Sequence, residues 1–227
     1  MHTVSILIPV YNEERTIEQV LKRIFAVKLT GWKREVIIID DGSDDGTRSK
    51  LKKWENRCRI IYQPRNQGKG AAITTGLAQA KGEIILIQDA DLEYHPQDYP
   101  VLLLPFKDKR VSVVYGSRFL GPHLSTMFLY ALGNKFVTLM TNILFNTTLT
   151  DMETGYKVFR RKVLGGIKIQ AKRFDFEPEF TAQVLKAGYQ IYEVPISYYG
   201  RKFTEGKKLT WKDGVLALIT LIKCRFS

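Results

Sequence analysis

Across the first 115 residues, short aliphatic runs alternate with amphipathic stretches, and this alternation limits the possible folds more than any other feature. The runs are VSILIPV (4–10), EVIIID (35–40), RIIYQ (59–63), EIILIQD (83–89) and VSVVYG (111–116). Each is strand-length and rich in β-branched residues. Each is apolar at successive positions, as expected of a strand covered on both faces. Between the first two, NEERTIEQVLKRIFAV brings Ile17, Val20, Leu21 and Ile24 onto one helical face. Its acids come first and its bases last, as the helix dipole favours. SDDGTRSKLKKWENR and QGKGAAITTGLAQAKG follow as further helical stretches. Such alternation predicts an α/β layered fold around a mainly parallel sheet.

After residue 116 the pattern changes. A long helix is expected over about 125–146, then a loop and short strand in TDMETGYKVFRR. FDFEPEFTAQVLKAGY reads as a helix, QIYEVPISYY as a strand, GRKFTEGKK as a basic loop and TWKDGVLALITLIKCRF as a helix running from amphipathic to apolar. No Pro-, Gly- or Ser-rich linker interrupts the chain, so one domain is expected over 1–227, with halves 1–116 and 117–227. The stretches 119–134 and 136–150 are both broken by polar residues and fall short of the roughly 18–20 apolar residues that span a bilayer. The opening MHTVSILIPVYNEE lacks the basic first region of a signal peptide. Two isolated cysteines, Cys58 and Cys224, give no disulfide framework and point to a reducing, cytoplasmic compartment.

In open α/β sheets, ligands bind beyond the carboxyl ends of the strands. Four such ends are polar here: Pro9-Val10-Tyr11-Asn12-Glu13, Asp40-Asp41-Gly42-Ser43, Asp89-Ala90-Asp91 and Gly116-Ser117-Arg118. Asp89 and Asp91 alternate, so both carboxylates can point one way and share Mg²⁺ or Mn²⁺. These ions take one or two carboxylates and complete their shell with water and substrate phosphates. Alone, the acids from Asp89 to Glu93 also read as a solvated turn leading to His95-Pro96. DDGSDDGT (40–47) is not a calcium loop: counted from Asp41, Gly46 is correctly sixth, but Lys52 stands twelfth, where a bidentate Glu is required. Asp40 instead faces the ligand edge, and Asp44 or Asp45 begins the next helix. NQGKGAA (66–72) lacks the P-loop pattern. It is a Gly-rich helix start that either favours an anion or supplies loop freedom. The histidines are isolated, so no zinc pattern exists. Arg118 follows a buried strand at the ligand edge, where a guanidinium can fork onto a phosphate.

The net charge of +12 is uneven. Residues 1–110 carry 18 Lys/Arg against 15 Asp/Glu, and residues 111–227 carry 17 against 8, a split of +3 and +9. A basic second half implies an anionic partner, whether nucleic acid, phosphorylated substrate or membrane surface. A nucleic-acid-binding module leaves the acidic strand ends unexplained, so it is the distant alternative and no nucleic-acid partner is expected. The run from Lys157 to Arg173, with seven bases and no acid, reads as a solvated face.

Together IPVYNEE, IIIDDGSDDGT, NQGKGAA, DADLE and GSRF resemble, in order and spacing, glycosyltransferase family two on the GT-A fold, a Rossmann-like sheet flanked by helices. DMETGYKVFR and EVPISYYGRKFTEGKKLTWKDG resemble its polyprenyl-phosphate hexose synthase branch, the dolichol-phosphate mannose synthases and dolichyl-phosphate glucosyltransferases. The resemblance implies an inverting transfer of glucose or mannose from UDP-glucose or GDP-mannose to a polyprenyl phosphate, giving a β-linked product. It implies that Pro9, Tyr11, Glu13, Asp40, Asp89 and Ala90 hold the nucleotide, with Asp40 on the base or ribose. Asp89 and Asp91 form the family's DXD motif for Mg²⁺ or Mn²⁺, with Glu93 beside them. It further implies that Arg118 and Arg201, with Lys208, would grip the acceptor phosphate. The 125–146 helix and the C-terminal amphipathic helix would lie at the cytosolic membrane face, as peripheral contacts. The nearest alternative is a family-two enzyme acting on a saccharide or protein hydroxyl. That acceptor needs a general base, for which Asp151 or Glu153 is the candidate.

Overall fold

The computed structural model describes residues 2–123, 128–200 and 211–227, and of Trp211 the backbone alone. Its strands are β1 (His2–Val10), β2 (Trp32–Asp40), β3 (Arg59–Tyr62), β4 (Ile84–Ile87), β5 (Val113–Ser117), β6 (Lys157–Arg160) and β7 (Ile191–Pro195). Its helices are α1 (Ile17–Ala26), α2 (Thr47–Lys52), α3 (Lys69–Leu77), α4 (Tyr99–Leu103), α5 (Phe128–Phe145), α6 (Phe176–Lys186) and α7 (Trp211–Phe226). The strands join one sheet in the order β3-β2-β1-β4-β6-β5-β7. Every pairing is parallel except those of β6, which runs antiparallel to both β4 and β5. The mainly parallel α/β fold expected from the sequence is what forms.

The reversed strand has a consequence for the ligand edge. Because β6 enters where β4 and β5 leave, the preceding loop arrives at the carboxyl ends of its neighbours. The amide of Gly116 donates to the Tyr156 carbonyl there, at 3.0 Å. The DMETG segment, residues 151–155, is thereby carried to the edge that holds Asp89 and Arg118.

Successive residues of the central strands feed different layers, as strand pleating requires. Ile6 and Ile8 of β1 with Ile38 of β2 pack against Ile17, Leu21 and Ile24 of α1. Leu7, Ile37 and Ile39 face the other way, onto Ala72 and Ile73 of α3 and the α6 residues Phe176 and Phe180. A third, smaller cluster joins Val137 of α5, Ala182 of α6 and the α7 residues Ala217 and Leu221. At 18 residues and a mean hydropathy of 1.2, α5 is long and apolar enough to cross a membrane by those two measures. It is the long helix expected over about 125–146, and it meets by length and mean hydropathy the span criterion that the stretches 119–134 and 136–150 were expected to fall short of. Its polar residues fall largely on the packed side: Thr138 and Thr141 are buried, and Thr138 accepts the Met152 amide at 3.1 Å.

The start of α3 is held by its own chain. The Gly70 and Ala71 amides donate to the carbonyls of Arg173 and Lys172, at 3.3 and 3.0 Å. Gly68 has φ +100°, and a Cβ there would fall on the Lys172 carbonyl. The glycines of NQGKGAA therefore serve close backbone approach, and amides that would favour an anion are already engaged. A Gly68→Ala substitution meets both the unfavourable backbone region and this contact. It is expected to destabilise the fold by about 1–3 kcal/mol, read as a lower urea midpoint at unchanged slope.

Candidate active site

A cleft of about 1100 Å³ opens along the carboxyl ends of the sheet. Four strand ends reach it: Pro9 at the end of β1 with Tyr11 and Glu13 after it, Asp41 after β2, Asp89, Ala90, Asp91 and Glu93 after β4, and Arg118 after β5. Lys69 of α3, Glu177 of α6, Glu153 and Gly155 of the loop before β6, Arg173, and apolar residues of α5 and α7 complete the lining. Arg201 and Lys208 lie outside the described residues.

Asp40 is placed differently from Asp41. Asp40 shares the face of Ile38, toward the α1–α2 layer. It is fully buried, with Oδ2 accepting from Nε of Arg48 at 2.6 Å, and it is absent from the cleft lining. Its Oδ1 is buried with no hydrogen-bond partner among the described residues. Asp41 lies one step on and turns to the α3 side, where it accepts the amides of Gln67 and Gly68, both at 2.8 Å. Burial raises the Asp41 pKa, against the pull of those two amides. Asp44 and Asp45 hold local structure, on Asn12 and on the Thr47 amide at the start of α2.

Asp89 is fixed from several directions. Tyr99 and Tyr156 both donate to Oε1 of Gln88, at 2.7 and 2.8 Å, and the Gln88 amide donates to the Asp89 carbonyl at 2.9 Å. The Asp89 side chain lies on the α3–α6 face, with Oδ1 at 2.7 Å from Lys69 Nζ. The same ammonium is 2.8 Å from Glu177 Oε1. Burial alone would lower the Lys69 pKa, but the two carboxylates outweigh it and hold the ammonium well above its ordinary range. Asp89 Oδ2 packs where a side chain on Gly155 would stand. Asp91 Oδ1 accepts the Glu93 amide at 3.2 Å.

Among the described residues, no group of three or more His, Cys, Asp or Glu is arranged to cage a metal. Two carboxylates at a strand end, facing open cleft, instead fit a hard cation that completes its shell from substrate oxygens. Asp89 and Asp91 would hold such an ion. Glu93 is nearly buried and its Oε2 accepts the Tyr198 hydroxyl at 2.8 Å, which ties it to the ring beneath Arg118.

Arg118 is oriented by Asp151. Nε and Nη2 bond to the two carboxylate oxygens, each at 2.7 Å, and the Arg118 amide donates to Oδ2 at 2.9 Å. The guanidinium lies over the Tyr198 ring, 5.2 Å from its centre. Burial would lower its pKa, but Asp151 more than reverses that and keeps it charged. Asp151 is wholly buried with both oxygens on Arg118, an arrangement that positions a cation and leaves no free basic oxygen for a hydroxyl.

Sequence reasoning missed Lys69, Glu177 and Arg173, and weighed Glu153 only as a base. Lys157 and Arg173 were assigned to a solvated run. Lys157 is instead fully buried, donating to the Met152 and Thr154 carbonyls at 2.7 and 3.0 Å, with its ammonium 4.0 Å from the centre of the Tyr115 ring. Burial pulls its pKa down to about 8. Glu153 has a buried Oε1 with no hydrogen-bond partner among the described residues, and burial, then Glu177, push its pKa up to about 7. The one signal available was an acid set in an apolar helix face, as Glu177 is in FDFEPEF.

A sequence model of glycosyl transferase family 2 matches residues 5–167. The chain is 30% identical over 230 residues to an uncharacterized protein, MJ1222, of Methanocaldococcus jannaschii, covering 96% of this chain and 90% of that one. It is 25% identical to the dodecaprenyl-phosphate galacturonate synthase of Rhizobium johnstonii over 87% of this chain. It is 26% identical to the dolichol-phosphate mannosyltransferase of Pyrococcus furiosus over 90% of this chain. It spans 59% and 58% of the lengths of these last two. Among solved structures, glucosyl-3-phosphoglycerate synthase from Mycobacterium tuberculosis, crystallised with Mn²⁺, UDP and glucosyl-3-phosphoglycerate, has a TM-score of 0.76 at 21% identity. That match covers 98% of this chain and 80% of that one, and shows the shared fold.

The close approach of Gly155 to Asp89 gives a direct test of this geometry. A Gly155→Ala side chain pushes the Asp89 carboxylate off Lys69. Affinity for a nucleoside diphosphate with Mn²⁺, measured by calorimetry, is expected to fall at least tenfold while the far-ultraviolet circular dichroism stays unchanged.

Proposed function

The chain belongs to glycosyl transferase family 2, and on that premise we propose that it moves a hexose from a nucleotide sugar to a polyprenyl phosphate. The carrying observation is that one cleft joins an acidic strand edge to an apolar wall. Asp89 and Asp91 stand in the same cavity as Leu129 and Phe136 of α5 and Val215 and Leu218 of α7. The apolar surface continues outside it: Leu129 is 76% exposed, and Leu132, Leu139, Ile143, Ile219 and Ile222 are exposed as well. A lipid tail accounts for such a wall, whereas a saccharide or protein hydroxyl gives no reason for it. Exposed apolar faces of this extent commonly mark a membrane or partner surface. Peripheral contact of α5 and α7 with the cytosolic leaflet follows from the reading, as does attraction of the basic second half to anionic headgroups. The names of the galacturonate synthase and mannosyltransferase relatives point the same way.

In this reading Pro9, Tyr11, Glu13 and Asp41 take the nucleoside, while Asp40, buried on Arg48 outside the cleft lining, supports the strand end from the opposite face. Asp89 and Asp91 hold Mg²⁺ or Mn²⁺, which offsets charge on the leaving diphosphate. Arg118, aimed by Asp151, holds the acceptor phosphate, with Arg201 and Lys208 as further cations. The acceptor oxygen attacks the anomeric carbon directly, so an α-linked donor gives a β-linked lipid-phosphate sugar.

Labelled UDP-glucose and GDP-mannose, each incubated with a polyprenyl phosphate and Mn²⁺, test the proposal. One of them is expected to give a lipid-soluble labelled product, with loss of transfer in EDTA. Full-rate transfer in EDTA removes the metal from the account, and no lipid product from any sugar nucleotide removes the acceptor. Leu129→Glu is expected to raise the KM for a long-chain acceptor about tenfold or more while leaving the KM for the donor within twofold.

A further inference from the structure

Glu153 carries, in the segment 151–155, a buried carboxyl oxygen, Oε1, with no hydrogen-bond partner among the described residues. The residues on either side of it are tied down. The Asp151 amide donates to Glu193, and the Asp151 carboxylate holds Arg118. The Met152 amide donates to Thr138, and its carbonyl takes Lys157. Thr154 donates its hydroxyl to the Gly116 carbonyl at 2.6 Å and offers its own carbonyl to Lys157. The Gly155 amide donates to the Tyr94 hydroxyl at 2.8 Å. The Glu153 side chain therefore stands on a backbone pinned on both sides, in the wall of the cleft, with a buried Oε1 that nothing among the described residues contacts by hydrogen bond.

Its charged surroundings are mixed. Glu177 of α6 and Asp151 of its own loop repel an ionised Glu153, while Lys157 of β6 and Arg118 after β5 attract it. Lys157 is committed to two carbonyls and an aromatic face, and Lys69 of α3 is committed to Asp89 and Glu177. Arg118 is the cation of the set that both shares the cleft with Glu153 and acts on it electrostatically. An anion drawn to Arg118 therefore comes up beside the Glu153 carboxyl in the cleft wall. A phosphate dianion next to an ionised carboxylate is repelled, whereas one proton shared between them converts repulsion into a charge-assisted O–H···O bond.

We infer that Glu153 meets the acceptor phosphate through a single shared proton, so that the cleft takes a phosphate monoester only when carboxyl and phosphate together carry that proton. This rests on the proposed polyprenyl phosphate acceptor and assigns its recognition. The proton arrives either on the acceptor, as its monoanion, or on Glu153. It lies between the Glu153 carboxyl and one phosphate oxygen. A second phosphate oxygen forms the new bond to the anomeric carbon with its lone pair, and the bond from that carbon to the diphosphate breaks with its electrons on the leaving oxygen. The product phosphodiester carries one charge less than the dianion, the diphosphate carries one more, and the proton stays on Glu153 until the product departs. No base is needed to create the nucleophile, since a phosphate monoester with a second pKa of about 6 is largely ionised near neutrality. Glu153 instead selects an acceptor with a protonatable oxyanion over a neutral hydroxyl.

The test is the pH dependence of the acceptor KM, measured from pH 6 to 9 with a short, soluble polyprenyl phosphate in wild type and Glu153→Gln. The glutamine keeps a hydrogen-bond donor and cannot ionise. In wild type the KM is expected to rise about tenfold per pH unit once Glu153 ionises, above about pH 7. In Glu153→Gln it is expected to stay within about threefold across the range. A second measurement needs no variant: calorimetry of acceptor binding to wild type at pH 8, in buffers of different ionisation heat, is expected to show uptake approaching one proton. Parallel pH profiles in the two proteins, or zero proton uptake, overturn the inference while the proposed acceptor stands. A hundredfold fall in kcat for Glu153→Gln at every pH with unchanged KM also overturns it, because that marks a base for a hydroxyl. A wild-type enzyme that makes no lipid-phosphate sugar overturns the proposed function and this inference with it.

Discussion

The ammonium of Lys69 lies between the carboxylates of Asp89 and Glu177, and the rest of the cleft is arranged around that contact. It ties the first residue of α3 to the end of β4 and to α6, three elements that the chain visits far apart. All three side chains are mostly buried, so their attraction is little screened, and removing one partner of such a pair costs about 3–5 kcal/mol. The contact also needs the backbone below it. Gly68 allows the Arg173 segment to approach, and that segment fixes the turn from which Lys69 projects. Asp89 is thereby balanced by a permanent cation, and in the proposed function Asp89 and Asp91 would hold a divalent ion that supplies further positive charge to a diphosphate.

The reversed strand β6 brings the second half of the chemistry to the same edge. Were it parallel to its neighbours, residues 151–155 would lie at the opposite end of the sheet. Antiparallel insertion places Asp151 under Arg118, Gly155 against Asp89 and Glu153 in the cleft wall. The loop thus contacts both halves of the site, and its pinned backbone leaves little freedom for either to drift. Beyond it, α5 and α7 pack on each other and on α6 and leave long apolar faces outward, so the cleft passes from an acidic strand edge to hydrocarbon.

Much of this was legible in the residues themselves. Successive apolar positions marked buried strands, and polar strand ends marked the ligand edge, because parallel sheets place both by rule. Asp89, Asp91 and Arg118 stand where that rule puts them. Asp40 shows where it stops: neighbouring residues at a strand end face opposite layers, and only the packed helices decide which layer is the site. Ile37 and Ile39 lead on to Asp41 and the α3 side, whereas Ile38 leads to Asp40 and Arg48 of α2. Lys69 with Glu177 and Arg118 with Asp151 were invisible for a related reason. They join segments 108 and 33 residues apart (177 minus 69 and 151 minus 118), and no local pattern encodes such a meeting. The same holds for Lys157, whose run of bases reads as solvated until β6 carries it beneath Tyr115.

The central claim is that Asp89 and Asp91 present a cation to a diphosphate in the cleft that Lys69 helps to neutralise. A crystal grown with Mn²⁺ and the matching nucleoside diphosphate tests it most directly, through the anomalous signal of the metal. The account predicts one peak within about 2.0–2.6 Å of carboxylate oxygens of Asp91 or Asp89, shared with diphosphate oxygens, and Lys69 still bonded to Asp89 or Glu177. A diphosphate bound elsewhere in the sheet, or bound at this edge with no metal signal at either aspartate, contradicts it.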